Sequence, residues 1–402
     1  MKVLVVSESL PPVRNGQGLV LYRLLRDKAP ADYCLASPNN WLAGPGENTP
    51  PEQLPGRYYH LAPPKQLNRG YRWGLTHVRE AINVRITVAH RARQLADIIK
   101  REKCDVVVGC TGDLADLPAA LSASRRLGVP LFAYIFDHYV YREWRYPSRI
   151  WWARHFEPRL MKQAARVIVP NEILRDDLRE RFGIEPVLIH NSLDISPYKA
   201  NGCPPATAQT NEIKIVYTGD VYEAHYDAFR NLMAALELLG RPEIKLHLYT
   251  DRPLEELAAY GISGPIVRHS QRSPDDMPHI QRGADMLFLP LAFHSPYPNL
   301  VRTSATTKLG EYLAARRPVI VHAPPDCFPS TYFRQHECGV VVDHLDPSLL
   351  ARRISEVLDD VAMKERLVAR AWAQAQKDFD IGVARATFWK LLTEATGAGN
   401  GT

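Results

Sequence analysis

Residues 302–322 change hydrophobic period partway along. Leu309, Tyr312 and Leu313 recur at i, i+3 and i+4, which predicts a helix over 308–315 with one buried face and with Lys308 and Glu311 sharing another. Arg316 and Arg317 suit the negative end of that helix, Pro318 stops it, and Val319–Val321 reads as a short buried strand. A helix feeding a parallel strand is an α/β crossover. Thr303-Ser304-Ala305-Thr306-Thr307 ahead of it supplies hydroxyls and free backbone N–H groups at the positive helix end, which suits a phosphate. A carboxylate one turn further in can accept both hydroxyls of a ribose. The alternative for this stretch alone is an ordinary crossover with a solvated charged face.

The remaining chain repeats the alternation twice. Val3–Val6 is a buried strand, followed by a loop through Pro11-Pro12 to Gly16-Gln17-Gly18 and a helix from Leu19 to about Asp27. That order brings main-chain N–H groups near the carboxyl edge of a sheet, where ligands bind in such folds, although the spacing is not Gly-x-Gly-x-x-Gly. Gly16 and Gly18 can equally serve only to shape a turn. Residues 38–70, rich in Pro, Gly and Asn, read as a long surface loop. A helical pattern runs over 74–103, then Asp105–Gly109 is a strand ending at Cys110-Thr111-Gly112-Asp113. Asp113 is either a site carboxylate or the N-cap of the helix through Ala120. Leu131–Phe136 is the next strand, ending in Asp137-His138, a carboxylate and an imidazole that can hydrogen-bond sugar hydroxyls; a structural histidine is the alternative. Strands follow at 167–171, 187–194, 213–220, 244–250, 266–268, 285–290 and 339–342. The linker at 196–212 has no period, so two domains are expected, 1–195 and 213–380, with a terminal helix over 381–396 returning to the first.

The 302–322 stretch, in this order of elements, resembles the donor-nucleotide motif of retaining glycosyltransferases of the GT-B fold, most of all family 4. There Glu-x7-Glu precedes a small-residue helix end, a Pro and an apolar strand. Glu311 falls on the second glutamate. Thr303 stands at the first, and Ser304-Ala305 stands where Phe-Gly is usual. The resemblance implies an α/β fold of two doubly wound Rossmann-like domains facing across a cleft. It also implies metal-independent transfer of a sugar, with retention, from a UDP-sugar or GDP-sugar to an acceptor hydroxyl. Donor contacts are then expected from Gly16, Gly18, Gly219, Asp220, Arg268, Arg302, Thr303, Thr306, Thr307, Lys308 and Glu311. Catalytic contacts are expected from Asp113, Asp137 and His138. Relatives commonly hold the donor diphosphate with an Arg and a Lys in the loop after the first strand of the second domain, where this chain offers Asp220, Tyr222, Glu223 and His225. Arg302 and Lys308 are the expected replacements, and Asp113 substitutes for a histidine that family members often place near the strand ending at 109. The other readings are a nucleotide-sugar epimerase or phosphorylase on the same fold, or a binding protein without catalysis.

Charge bears on the acceptor. The net charge is +6, with an excess of roughly nine positive charges in residues 1–200 and about three negative in the remainder. An anionic partner for the first half is expected, and helix-turn-helix, zinc and RNA-binding signatures are lacking, which excludes nucleic acid. Trp144, Trp151 and Trp152 stand among Arg142, Arg145, Arg149, Arg154 and Arg159, a mix suited to a lipid headgroup interface or a polyanionic acceptor; packing of the tryptophans inward is the alternative. The acceptor class is a glycan, a lipid-linked molecule or a small molecule, and no cofactor is expected beyond the donor. No stretch of about 18 apolar residues is present, and the six cysteines lack zinc-type spacing. A cytoplasmic protein touching the inner membrane face peripherally is the expectation.

Overall fold

A computed structural model describes residues 1–13, 15–40, 53–67, 75–141, 147–199 and 211–396. The chain forms two compact units, Met1–His190 with Gly382–Thr402, and Asn191–Ile381.

The first unit is built on seven parallel strands, β1 Val3–Val6, β2 Tyr33–Ser37, β3 Arg57–His60, β4 Val106–Cys110, β5 Leu131–Tyr134, β6 Arg166–Val169 and β7 Val187–Leu188. Their order is β3-β2-β1-β4-β5-β6-β7. Strands β1, β2, β4 and β5 are buried along their whole length, as continuous apolar runs must be when helices cover both sheet faces. Two strands were not visible in sequence. β2, Tyr-Cys-Leu-Ala-Ser, is too short to show a period. β3 lies within the stretch expected to be surface loop, and Arg-Tyr-Tyr-His alternates in no useful way. It is a strand because its backbone pairs with β2, Cys34 against Arg57 and Ser37 against His60, at the sheet edge.

The second unit has six parallel strands, β8 Ile213–Thr218, β9 Ile244–Tyr249, β10 Ile266–His269, β11 Met286–Pro290, β12 Val319–His322 and β13 Val340–Val342. They are ordered β10-β9-β8-β11-β12-β13. Both sheets are thus doubly wound, with the order reversing beside β1 in one and β8 in the other, and ligands bind at the carboxyl ends next to such reversals. Helices Leu254–Ala259 and Phe328–His336 were also missed by periodicity, being short and interrupted by aromatic or acidic residues.

The terminal helix Ile381–Ala395 packs on the first unit. Phe388 is buried beside Tyr134, Arg385 Nε donates to the Arg23 carbonyl at 2.6 Å, and Lys28 sits 4.5 Å over the Trp389 ring. Of the expected linker, Ser196–Lys199 is a single helical turn and residues 200–210 lie outside the described residues.

Candidate functional site

At the carboxyl edge of the second sheet, helix Thr307–Ala314 begins with Thr306 as N-cap, whose hydroxyl accepts from the Lys308 amide at 3.4 Å. Leu309, Tyr312 and Leu313 are buried as their spacing requires, and they carry Glu311 inward to 8 % exposure. Three polar groups fix that region. The Tyr312 hydroxyl accepts from the Thr218 amide at 3.0 Å. Gln281, which is fully buried, donates through Nε2 to Glu311 Oε2 at 3.2 Å and to Thr218 Oγ1 at 3.3 Å. Its Oε1 in turn accepts from the Tyr198 hydroxyl at 2.8 Å. One carboxylate edge of Glu311 is therefore oriented from behind. Gln281 carried no signal in sequence, since a lone glutamine in Met277–Arg282 reads as surface. Replacing Gln281 with Leu leaves Thr218, Tyr198 and Glu311 each one partner short in a buried place. It is expected to cost about 1–3 kcal/mol of stability, read by urea unfolding.

Lys308, one turn before Glu311, reaches back over the turn that follows β8. Its ammonium lies 5.2 Å over the Tyr217 ring. A Cβ built on Gly219 would come within 2.5 Å of Lys308 Cε and 2.7 Å of Nζ. Burial holds the Lys308 ammonium below the usual lysine range, against the opposing fields of Glu311 and Asp220. The loop after β8 thus lacks its own Arg and Lys but receives a cation from the helix. His225 at the start of Tyr226–Leu239 is also buried, and burial, helped by the Lys308 charge, pushes it down to about 3, so it stays neutral. Gly219 has φ +128°, a conformation suited to glycine. Gly219→Ala should therefore displace Lys308 as well as strain the turn, and a fall in affinity for diphosphates, without a matching fall for the free nucleoside, is the expected calorimetric result.

The other expected donor residues are placed differently. Asp220 is paired with Arg252 at 2.9 Å and caps its own turn through the Val221 amide. Arg268 donates to the Arg252 and Asp251 carbonyls at 2.7 and 3.1 Å, so it braces the loop after β9. Thr303 is fully buried, with its hydroxyl on the Asn299 carbonyl at 2.9 Å, which turns it into helix Pro298–Arg302. Arg302 is half-buried at the end of that helix, and Thr306 and Thr307 form the helix start.

In the first unit, Gly16 begins helix Gly16–Leu25, and Gly18 is buried where a Cβ would stand 2.3 Å from the Val13 carbonyl oxygen. The Gly18 amide is taken by Asn15 Oδ1 at 2.8 Å, and the close packing of the loop by itself requires a glycine here. Asp113 Oδ1 accepts from the Ala115 amide at 2.6 Å and from Arg91 Nη1 at 2.6 Å. Its cap-like contact and its partial exposure at the carboxyl end of β4 go together. Asp116, fully buried, shares the same Arg91 nitrogen at 2.8 Å, and burial with the Asp113 charge pushes it up to about 8 despite that ion pair. Glu8, which sequence reasoning passed over, lies against Gly112 beside this cluster. Asp137 is half-buried at the next strand end. His138 is fully buried, 3.7 Å from the Asp177 carboxylate and edge-on to Tyr141 at 4.9 Å. Its burial fits the structural alternative. Trp144, Arg142 and Arg145 lie outside the described residues.

Two family models match the chain, Glycosyltransferase Family 4 over residues 51–196 and Glycosyl transferases group 1 over residues 212–360. No curated protein matches it. Among solved structures it is similar to a glycosyltransferase from Rickettsia africae, at 14% identity over 100% of this chain and 99% of that one, with a TM-score of 0.68. Anabaena Alr3699/HepE in complex with UDP and glucose shares 15% identity over 98% and 99%, with a TM-score of 0.67. Sucrose-phosphate synthase from Thermosynechococcus elongatus shares 14% identity over 99% and 100%, with a TM-score of 0.69.

Proposed function

We infer, from the premise that this chain belongs to the GT-B glycosyltransferases, that its second unit binds a UDP-sugar, or failing that a GDP-sugar. The sugar then passes to an acceptor hydroxyl on the first unit with retention and without a metal. The observation that carries this reading is the placement of Glu311 and Lys308 on successive turns of one helix beside the β8 turn. Gln281 orients the carboxylate, and the missing side chain at Gly219 leaves the space that the ammonium fills. The spacing suits ribose hydroxyls on Glu311 and the diphosphate on Lys308 and the positive helix start. The UDP bound in the Anabaena relative is the support for uridine as the base.

Chemistry then follows from charge. As the bond between the anomeric carbon and the diphosphate oxygen breaks, negative charge grows on the leaving group, and the Lys308 ammonium with the helix start stabilises it more in the transition state than in the ground state. The acceptor oxygen bonds to the same carbon and gives its proton to a first-unit carboxylate, Asp113 or Asp137.

Thermal unfolding in the presence of UDP, GDP or ADP tests the donor reading. A ligand at 100 times its dissociation constant adds about 2.7 kcal/mol, a shift readily seen. Stabilisation by UDP above the other two is expected, and no shift with any nucleoside diphosphate would overturn the reading. Proton NMR of the first product formed decides retention.

A further inference from the structure

The first unit holds two thiols in contact at the amino edge of its sheet. We propose that Cys34 and Cys104 are a reversible redox pair, closed to a disulfide by a hydroperoxide and reopened by a dithiol. This goes beyond the transferase reading and does not depend on it. Cys34 Sγ lies 3.6 Å from Cys104 Sγ although 70 positions separate them, and both are free thiols. Cys34 is the second residue of β2, set against Leu4 of β1 on one side and Arg57 of β3 on the other. Cys104 stands between helix Thr76–Glu102 and β4, with its amide on the Ile99 carbonyl at 3.0 Å.

The surroundings single out one sulfur as the nucleophile, which must be a thiolate. The hydrogen bond from Cys34 and the charge of the Lys2 ammonium hold the Cys104 thiol below its usual range, against the burial that opposes them. Lys2 is itself fixed by Glu102, which also accepts from Arg57 Nη1 at 2.7 Å and from the Tyr59 hydroxyl. Burial pushes Cys110, Cys327 and Cys338 up, the last to about 12. Cys34 is raised as well, because its hydrogen is engaged by Cys104 and its site is buried. Cys104 is also the member of the pair that reaches solvent, 5 % against 0 %, at a corner where Lys103 takes φ 52°.

One hydrogen peroxide balances the reaction. The Cys104 thiolate attacks a peroxide oxygen, the O–O bond breaks, and Cys104 becomes a sulfenic acid as hydroxide leaves. The Cys34 sulfur, already in contact, attacks the Cys104 sulfur, and the sulfenic hydroxyl departs with the Cys34 proton as water. The hydroxide takes the proton that Cys104 had released. Two thiols have then lost two electrons to the peroxide, which ends as two waters. Bond formation brings the sulfurs from 3.6 Å to about 2.05 Å, roughly 0.8 Å of movement each. Because β1 lies between β2 and β4, the link clamps the amino edge across three strands. Buried thiols also serve as small apolar fillers. Filling space alone does not require two of them to touch, nor one to sit in the field of an ammonium.

Treatment of the folded full chain with hydrogen peroxide, followed by maleimide labelling in denaturant and peptide mass mapping, tests this. Loss of two of the six thiols, a peptide joining Cys34 to Cys104, and return of both thiols with dithiothreitol are expected. Cys34→Ala should leave Cys104 as a sulfenic acid that dimedone traps, whereas Cys104→Ala should leave Cys34 unoxidised at the same dose. Closing a loop of 70 positions lowers the unfolding equilibrium constant of the first unit about a thousandfold. The urea midpoint of oxidised wild-type protein should therefore rise above that of the reduced form, and neither variant should show the rise. Six labelled thiols after peroxide treatment of the wild-type chain overturn the proposal, and so does a link that joins other cysteines. The wild-type peptide map decides this even if a variant fails to fold. A linked protein whose urea midpoint does not rise overturns the clamp across β1.

Discussion

Glu311→Ala is expected to weaken nucleoside diphosphate binding by about 1.5–3 kcal/mol, ten- to more than a hundredfold, because two ribose hydroxyls lose a charged acceptor at a desolvated site. The carboxylate is 8 % exposed and held by the Gln281 amide, so it enters the complex already oriented and little of its binding energy is lost to ordering. Glu311→Gln should lose less than Ala, since it keeps one acceptor oxygen. Isothermal calorimetry with UDP reads the affinity. Urea unfolding reads separately the cost of leaving the Gln281 donor without its acceptor. Unchanged affinity in a folded Glu311→Ala variant would remove Glu311 from the donor site.

Lys308→Ala is expected to cost the diphosphate about 1.5–3 kcal/mol and the free nucleoside almost nothing, because the lost contact is with phosphate charge. Lys308→Met, which keeps the aliphatic stem over Tyr217, should match Ala in this respect. Equal losses for both ligands would show that Lys308 acts through packing. The pH dependence has a definite sign. Burial lowers the Lys308 pKa below 10.5, so the folded chain gives up this proton before the unfolded chain does. In the window between the lowered value and 10.5 the unfolded state binds more protons, and stability of the ligand-free protein rises with pH. Diphosphate affinity, which needs the ammonium, falls across the same window. Both slopes should vanish in Lys308→Ala, and bound diphosphate should raise the pH at which Lys308 titrates.

How far the site could be read in advance depended on the range of each interaction. Glu311 was legible because Leu309, Tyr312 and Leu313 set the helix register within five residues. That Lys308 stands on the same helix, one turn before Glu311, was legible too, but its reach to the turn after β8 was not. Gln281 was not. It meets Glu311 from 30 positions away and Thr218 from 63, and only the neighbouring of β8 and β11 brings the three together. Thr303 and Gly18 meet local hydrogen-bond partners, and His138 is enclosed near Asp177, none of which a motif shows. The interleaved Trp and Arg run was likewise ambiguous until Glu80 claimed Arg149 and Arg85 covered Trp152, leaving Trp151 outside.

Local chemistry was enough to determine that this chain alternates helices with parallel strands in two sets. Short apolar runs bounded by glycine and proline are satisfied inside covered sheets, as β1, β4, β5, β11 and β12 are. The tertiary structure alone decided which polar groups face one another. It paired β3 with β2, aimed Lys308 at Gly219 and joined the Tyr312 hydroxyl to an amide 94 residues away. A hydrogen bond or an ion pair depends on distances of a few ångströms between residues remote in sequence. Strand order sets those distances, and hydrophobic periodicity carries no record of strand order.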